Sequence, residues 1–295
     1  MYFVKTNSSL LAAGALVVNA LVWGVSWWPF RELQNAGLHP LWATAAVYLL
    51  VCIGMLVFYF SSFRELLAHP ALWALALAAG LTNVGFNWAV TVGDVVRVVL
   101  LFYLMPAWSV LVAWGMLGEK PTSASLLRLA LAMAGVLIVL KTPDSPWPVP
   151  QSGADWLALM GGLSFAITNA LLRKQSHTPS GARMLAMFAG GALLATAVAL
   201  LGWSFGALPK PALQSGAWLV FVGLTVAFIV SNAALQYGAA RLPASTTSVV
   251  MLTEILFASA SAALLGAADF TPRIFWGGSL IVLAALLAAL AHRKE

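Results

Sequence analysis

Long apolar runs recur along the chain, separated by short polar or proline-bearing breaks. Each run is about 17–25 residues, the length a helix needs to cross the hydrocarbon core of a bilayer. The pattern predicts ten membrane helices, at about 9–30, 40–60, 71–92, 95–117, 123–140, 154–174, 183–203, 214–238, 244–266 and 272–291. The longest break runs from Lys141 to Gly153. It holds Pro143, Pro146, Pro148 and Pro150, which prevent a helix from continuing. The chain therefore divides into a first five-helix repeat (residues 1–140), a proline-rich connection (141–153) and a second five-helix repeat (154–295).

The halves echo each other. The run Val95–Thr122, with Pro106 in its middle and a Gly118-Glu119-Lys120 stop, has a fainter copy 149 residues later, from Ala244 to Thr271, carrying Glu254 and Gly266. The same offset sets Thr82 and Asn83 on Ser231 and Asn232, Asn87 on Gln236, Trp88 on Tyr237, Thr122 on Thr271 and Gly135 on Ala284. Earlier in each half an offset of 142 sets Trp23 on Phe165, Ser26 on Thr168 and Arg31 on Arg173. Interrupted spans at matched positions of two halves are the signature of a duplicated secondary transporter.

Composition supports lipid as the solvent. Of 295 residues, 62% are hydrophobic and 8% charged, against about 25% charged in soluble domains. The net charge of +6 would suit nucleic acid, but the basic residues stand singly at the ends of apolar runs, where they set topology instead. With the N-terminus inside, Lys5, Arg64, Lys120, Arg128, Arg173, Lys174, Arg183, Arg241, Arg293 and Lys294 fall on the cytoplasmic side, and Arg31, Arg97, Lys141, Lys210 and Arg273 outside. Both termini are thus expected in the cytoplasm. Five helices per repeat then makes the repeats inverted, with a site near the midplane between them. The single Cys52 excludes an intramolecular disulfide. The first apolar run is too long for a signal-peptide core and reads as a membrane helix.

This pattern resembles the drug/metabolite transporter (DMT) superfamily, EamA type. The likeness is carried by Asn19-Ala-Leu-Val-Trp-Gly24, by the Pro106…Gly118-Glu119 helix and by the basic tail. Tyr103-Leu104-Met105-Pro106 and the aromatic content look most like the YddG-type amino-acid exporters of bacterial inner membranes. The second half departs from the family pattern: Glu254 is followed by Ile255, and the closing Gly-Glu becomes Gly266-Ala267-Ala268-Asp269. The resemblance implies alternating access, export of amino acids or related metabolites, and an inner-membrane location.

Glu254 is the one acid placed deep in a predicted span, where a charge costs at least about 2.5–3.5 kcal/mol. It reads as a proton-coupling or substrate-amine site, or else as a protonated structural glutamate. Asn83 and Asn87 lie four apart on one helix, and Asn232 and Gln236 repeat the spacing. Such amides either glue helices together or line a polar cavity that could hold a zwitterion. Trp88, Tyr103 and Tyr237 are candidates for an aromatic wall, and Pro106 for a hinge or a static kink. Many tryptophans, Trp42, Trp73, Trp147, Trp156, Trp203, Trp218 and Trp276 among them, fall at span ends, where interfacial belts place them.

No Gly-x-x-x-x-Gly-Lys loop is present. His39, His69, His177 and His292 stand far apart, so no metal or other cofactor is expected. The expected partners are a small-molecule substrate and the bilayer, with no nucleic acid and a monomeric chain. An exporter of drugs or quaternary cations is the alternative within transport; a membrane-embedded enzyme or a passive channel is the alternative outside it.

Overall fold

The computed structural model describes residues 2–93, 95–141, 149–212, 214–267 and 271–291. Pro143, Pro146, Trp147 and Pro148 of the proline-rich connection, Ala268 and Asp269, and the tail from His292 through Arg293 and Lys294 lie outside the described residues. The helices in chain order are α1 (Tyr2–Val25), α2 (Trp27–Asn35), α3 (Pro40–Phe58), α4 (Phe60–Ala68), α5 (Ala71–Val92), α6 (Val95–Phe102), α7 (Met105–Leu117), α8 (Ser123–Leu140), α9 (Gly153–Lys174), α10 (Ser180–Ser204), α11 (Trp218–Ala239), α12 (Ala244–Met251), α13 (Glu254–Leu264) and α14 (Pro272–Ala291). No strand occurs among the described residues. The chain is an all-α protein with apolar spans of membrane-crossing length.

Among the described residues, nine helical segments are long and apolar enough to cross a bilayer unaided. A tenth is formed by α5 together with α4, bent by 107° where they meet. Thr82, Asn83 and Asn87 dilute the apolar character of α5. The first span is longer than the apolar pattern suggests and reaches Asn35, because Pro29 falls in the first turn of α2, where proline is tolerated.

Two spans are broken. One, α6–α7, is interrupted at Tyr103–Leu104; the other, α12–α13, at Leu252–Thr253, 149 residues later. Both breaks are tightened turns with i→i+3 bonds, Leu104 N–H to Leu101 C=O at 3.3 Å and Thr253 N–H to Val250 C=O at 3.1 Å. Pro106 therefore does not kink a continuous helix, as its position in the sequence suggested. It occupies the first turn of α7, where its missing N–H costs least.

Proline still leaves the carbonyl four residues back, that of Phe102, without its helical donor. Gly162 of α9 is packed directly on that oxygen: a Cβ at Gly162 would lie 2.6 Å from it. In the other half, α1 approaches the broken span in the same manner, a Cβ at Gly24 falling 2.6 Å from the Glu254 carbonyl.

Elsewhere, too, small residues let backbones meet, as is usual between membrane helices. Gly190 of α10 abuts the Ala76 carbonyl of α5, and Gly135 of α8 abuts Gly277 of α14. The α5 helix packs on α9 and α10, while α11 packs on α1 and less closely on α3. The α6–α7 span lies on α9, and the α12–α13 span on α1. Two ion pairs tie α9 to the α6–α7 span, Arg97–Asp155 at 3.4 Å at one end and Arg173–Glu119 at 3.7 Å at the other.

Replacing Gly190 by leucine forces α5 and α10 apart. We expect a loss of about 1–3 kcal/mol, read as a lower midpoint of thermal unfolding in detergent. Gly115→Ala, where a Cβ meets nothing within 4 Å, leaves the midpoint unchanged. Equal midpoints for the two variants would refute the packing argument.

Candidate functional site

The breaks and amides converge on a central cavity of about 90 Å³. Its wall draws on both halves: Asn19 and Trp23 from α1, Tyr48 from α3, Thr82, Asn83, Phe86 and Asn87 from α5, Phe102 and Met105 at the first break, and Phe165 and Thr168 from α9. Met187 and Phe188 from α10, Phe228, Ser231 and Asn232 from α11, and Met251 and Glu254 at the second break complete it. These positions lie near the middle of their spans.

Seven of the twenty residues of that wall are aromatic. Trp23 stacks on Phe228 with centroids 4.7 Å apart, Tyr48 meets Phe188 edge-on at 4.9 Å, and Phe86 tilts against Phe102 at 4.7 Å. Polar groups punctuate it, each held by a partner, as an apolar surround requires. The Tyr48 hydroxyl donates to Asn83 Oδ1 at 2.9 Å, and Asn83 Nδ2 donates to the Ala79 carbonyl one turn back. Asn87 donates to Thr44 Oγ1 at 3.2 Å. Asn232 lies against Met187 Sδ at 3.5 Å, and its side-chain amide hydrogen-bonds that of Gln236 at 2.6 Å. Asn19 donates to both the backbone oxygen (2.8 Å) and the hydroxyl (2.6 Å) of Ser231, which joins α1 to α11. The Tyr103 side chain faces the Glu254 carboxyl and so brings the two breaks together side chain to side chain. Glu254 also begins α13, where the helix dipole favours an acid.

Of the residues expected from the sequence, Asn83, Asn87, Asn232 and Glu254 line this cavity. Tyr103 sits behind the wall, buried at 5% exposure. Trp88, expected in the aromatic wall, packs instead against Ala45, Val84 and Ala195, because α5 turns that face toward α3 and α10. Gln236 and Tyr237 face a separate cavity between α3, α10 and α11, one turn beyond Asn232. Pro106 borders a small pocket on the other side of α7. The aromatic wall consists instead of Trp23, Tyr48, Phe86, Phe102, Phe165, Phe188 and Phe228. Of these, Trp23 and Phe165 are a pair matched by the offset of 142. The other aromatics sit in ordinary apolar runs and carry no sequence signal.

Residues 10–141 match the EamA-like transporter family. That stretch of the first half is similar to EamA-like transporters. It supplies the Asn83–Asn87 pair and the Pro106 break, and its described boundary at Lys141 closes α8. A crystal structure of a protein 16% identical superposes with a TM-score of 0.78, covering 96% of this chain and 98% of that one. At that identity the likeness concerns the fold alone, and it runs through the EamA-like half and beyond it. No curated protein matches the chain.

Removing the Asn19 amide leaves Ser231 without its interhelical partner. We expect Asn19→Leu to cost about 1–2 kcal/mol, measured by thermal unfolding. Tyr48→Phe, which strips one hydroxyl from Asn83, is expected to cost about 1 kcal/mol. A rise in stability for both variants would show that these bonds do not hold the cavity wall.

Proposed function

We propose that this protein is a secondary transporter of the YddG type that exports amino acids, chiefly apolar and aromatic ones, from the cytoplasm of a bacterium across its inner membrane. The observation that carries the reading is the mixed wall of the central cavity: amides from α5 and α11 and the Glu254 carboxyl, set among stacked aromatic rings. The amides suit the ammonium and carboxylate of a zwitterion, and the rings suit its side chain. Asn83, Asn87 and Asn232 hold the polar groups in this scheme. Gln236 positions Asn232, and Tyr103 positions Glu254. Tyr237 and Trp88 are assigned no contact with substrate.

In the same proposal the chain is an inverted duplication divided at the 141–153 connection. Three features support it. The breaks lie 149 residues apart, and three offset-matched pairs (Trp23 with Phe165, Thr82 with Ser231, Asn83 with Asn232) line one cavity. Exchanging the halves also maps the α5–α9 contact onto α11–α1 and the α7–α9 contact onto α13–α1. Both termini lie in the cytoplasm, by the basic-residue count. Alternating access then consists of rocking one helix group against the other about the cavity, with no chemical step. Lipid and one small-molecule substrate are the partners, and a single chain suffices.

A second reading is favoured by one observation: Glu254 reaches the cavity wall and no lysine or arginine does. A cationic drug or quaternary ammonium compound would meet an uncompensated acid there.

Proteoliposomes preloaded with labelled amino acids test both readings. Saturable efflux of phenylalanine or leucine is expected, lowered about tenfold or more by Asn83→Leu or Asn232→Leu in variants that keep the wild-type unfolding midpoint. Glu254→Gln is expected to abolish any response of the rate to a pH gradient. Absence of efflux for every amino acid, with efflux of a quaternary ammonium probe that Glu254→Gln removes, would select the second reading.

A further inference from the structure

The second cavity, between α3, α10 and α11, measures about 930 Å³. Its wall on α11 and beyond runs from Thr225 to Arg241, about 24 Å at 1.5 Å per residue. That is longer than one leaflet's share of the hydrocarbon core, about 15 Å. Most of the lining is apolar, and Phe58 and Ile229 at its rim are exposed on the face that spans present to lipid.

One end of this groove is cationic. Arg183 is only 6% exposed, yet its Nε and Nη1 have no hydrogen-bond partner. It stands in the first turn of α10, where the helix dipole is itself positive and the N-cap residue, Pro179, offers no side-chain acceptor. Arg241 lines the same end, its guanidinium 3.7 Å above the Tyr237 ring and one Nη donating to the Tyr237 carbonyl at 3.0 Å. No carboxylate lines the groove. Glu65 pairs with His69 and Glu119 with Arg173, both elsewhere. A buried cation without a counter-charge is costly, and basic pockets between membrane helices bind anionic head groups.

We propose that this groove binds one anionic phospholipid. Its phosphate sits between Arg183 and Arg241 at the α10 N-terminus, and an acyl chain lies along α3 and α11. The lipid fills the gap left where α11 packs less closely on α3 than α5 does on α10.

The full-length protein, stripped of lipid in detergent, is titrated with phosphatidylglycerol, with phosphatidylcholine and with free glycerol phosphate, and bound lipid is read by native mass spectrometry. Phosphatidylglycerol is expected to bind about tenfold more tightly than phosphatidylcholine, and glycerol phosphate is expected not to displace it. Arg183→Gln combined with Arg241→Gln removes the preference. Gly54→Leu keeps both arginines and fills the groove, since a Cβ at Gly54 meets nothing within 4 Å; it weakens phosphatidylglycerol binding as well. Should the double variant fail to fold, Gly54→Leu decides alone. Equal retention of the two lipids, or phosphatidylglycerol binding that Gly54→Leu leaves unchanged, overturns the proposal. Displacement by glycerol phosphate at lipid-like concentrations overturns it too, in favour of a small-anion site.

Discussion

A peptide group inside a bilayer has no water to fall back on, so every interruption of a helix must be answered by a neighbouring backbone or side chain. This constraint organises the molecule. Pro106 releases the Phe102 carbonyl, and the only surface that can come close enough to it is one without a side chain, Gly162. The second interruption is approached in the same way by Gly24. Because α9 and α1 must each press a glycine onto a break, both are drawn to the centre. Phe165 and Thr168 on α9 and Asn19 and Trp23 on α1, all within six residues of those glycines, face the space between the breaks.

That space owes its character to pairing within the wall. Amides and a carboxyl set among apolar rings would be expensive if left bare. Here Asn83 is held by Tyr48, Asn232 by Gln236 and Asn19 by Ser231, while Glu254 faces Tyr103. Each keeps capacity for a further bond, since an amide has more donors and acceptors than one partner uses. The wall is thus organised in advance without being saturated, which is what recognition of a small polar molecule requires.

The spans were legible because hydropathy in lipid is nearly decisive. The matched breaks were legible too: those at Tyr103–Leu104 and Leu252–Thr253 keep the spacing seen in the sequence. The amides Asn83, Asn87 and Asn232 were legible because polar groups in an apolar run have few places to go. The sequence could not say which way each helix turns its aromatic residues. Trp88 follows Asn87 by one residue and so points about 100° away from it, into the α3–α10 contact. Gln236 and Tyr237 directly follow Leu235, which still lines the central cavity, but they face the groove between α3, α10 and α11. Phe188 and Phe228 look like any core phenylalanine until tertiary packing brings them together.

The two salt links that hold α9 carry a kinetic implication. Glu119, which grips Arg173, would correspond at the offset of 149 to Ala268, and Arg173 corresponds to Arg31, an exposed residue. By sequence, then, Arg31 of α2 has no acid at the position that matches Glu119. In the proposed alternating-access cycle, two equal clamps would give opening toward either face of the membrane barriers of the same height. One clamp would make the forward and return isomerisations unequal in speed, while the final distribution of solute would still depend only on the gradients across the membrane.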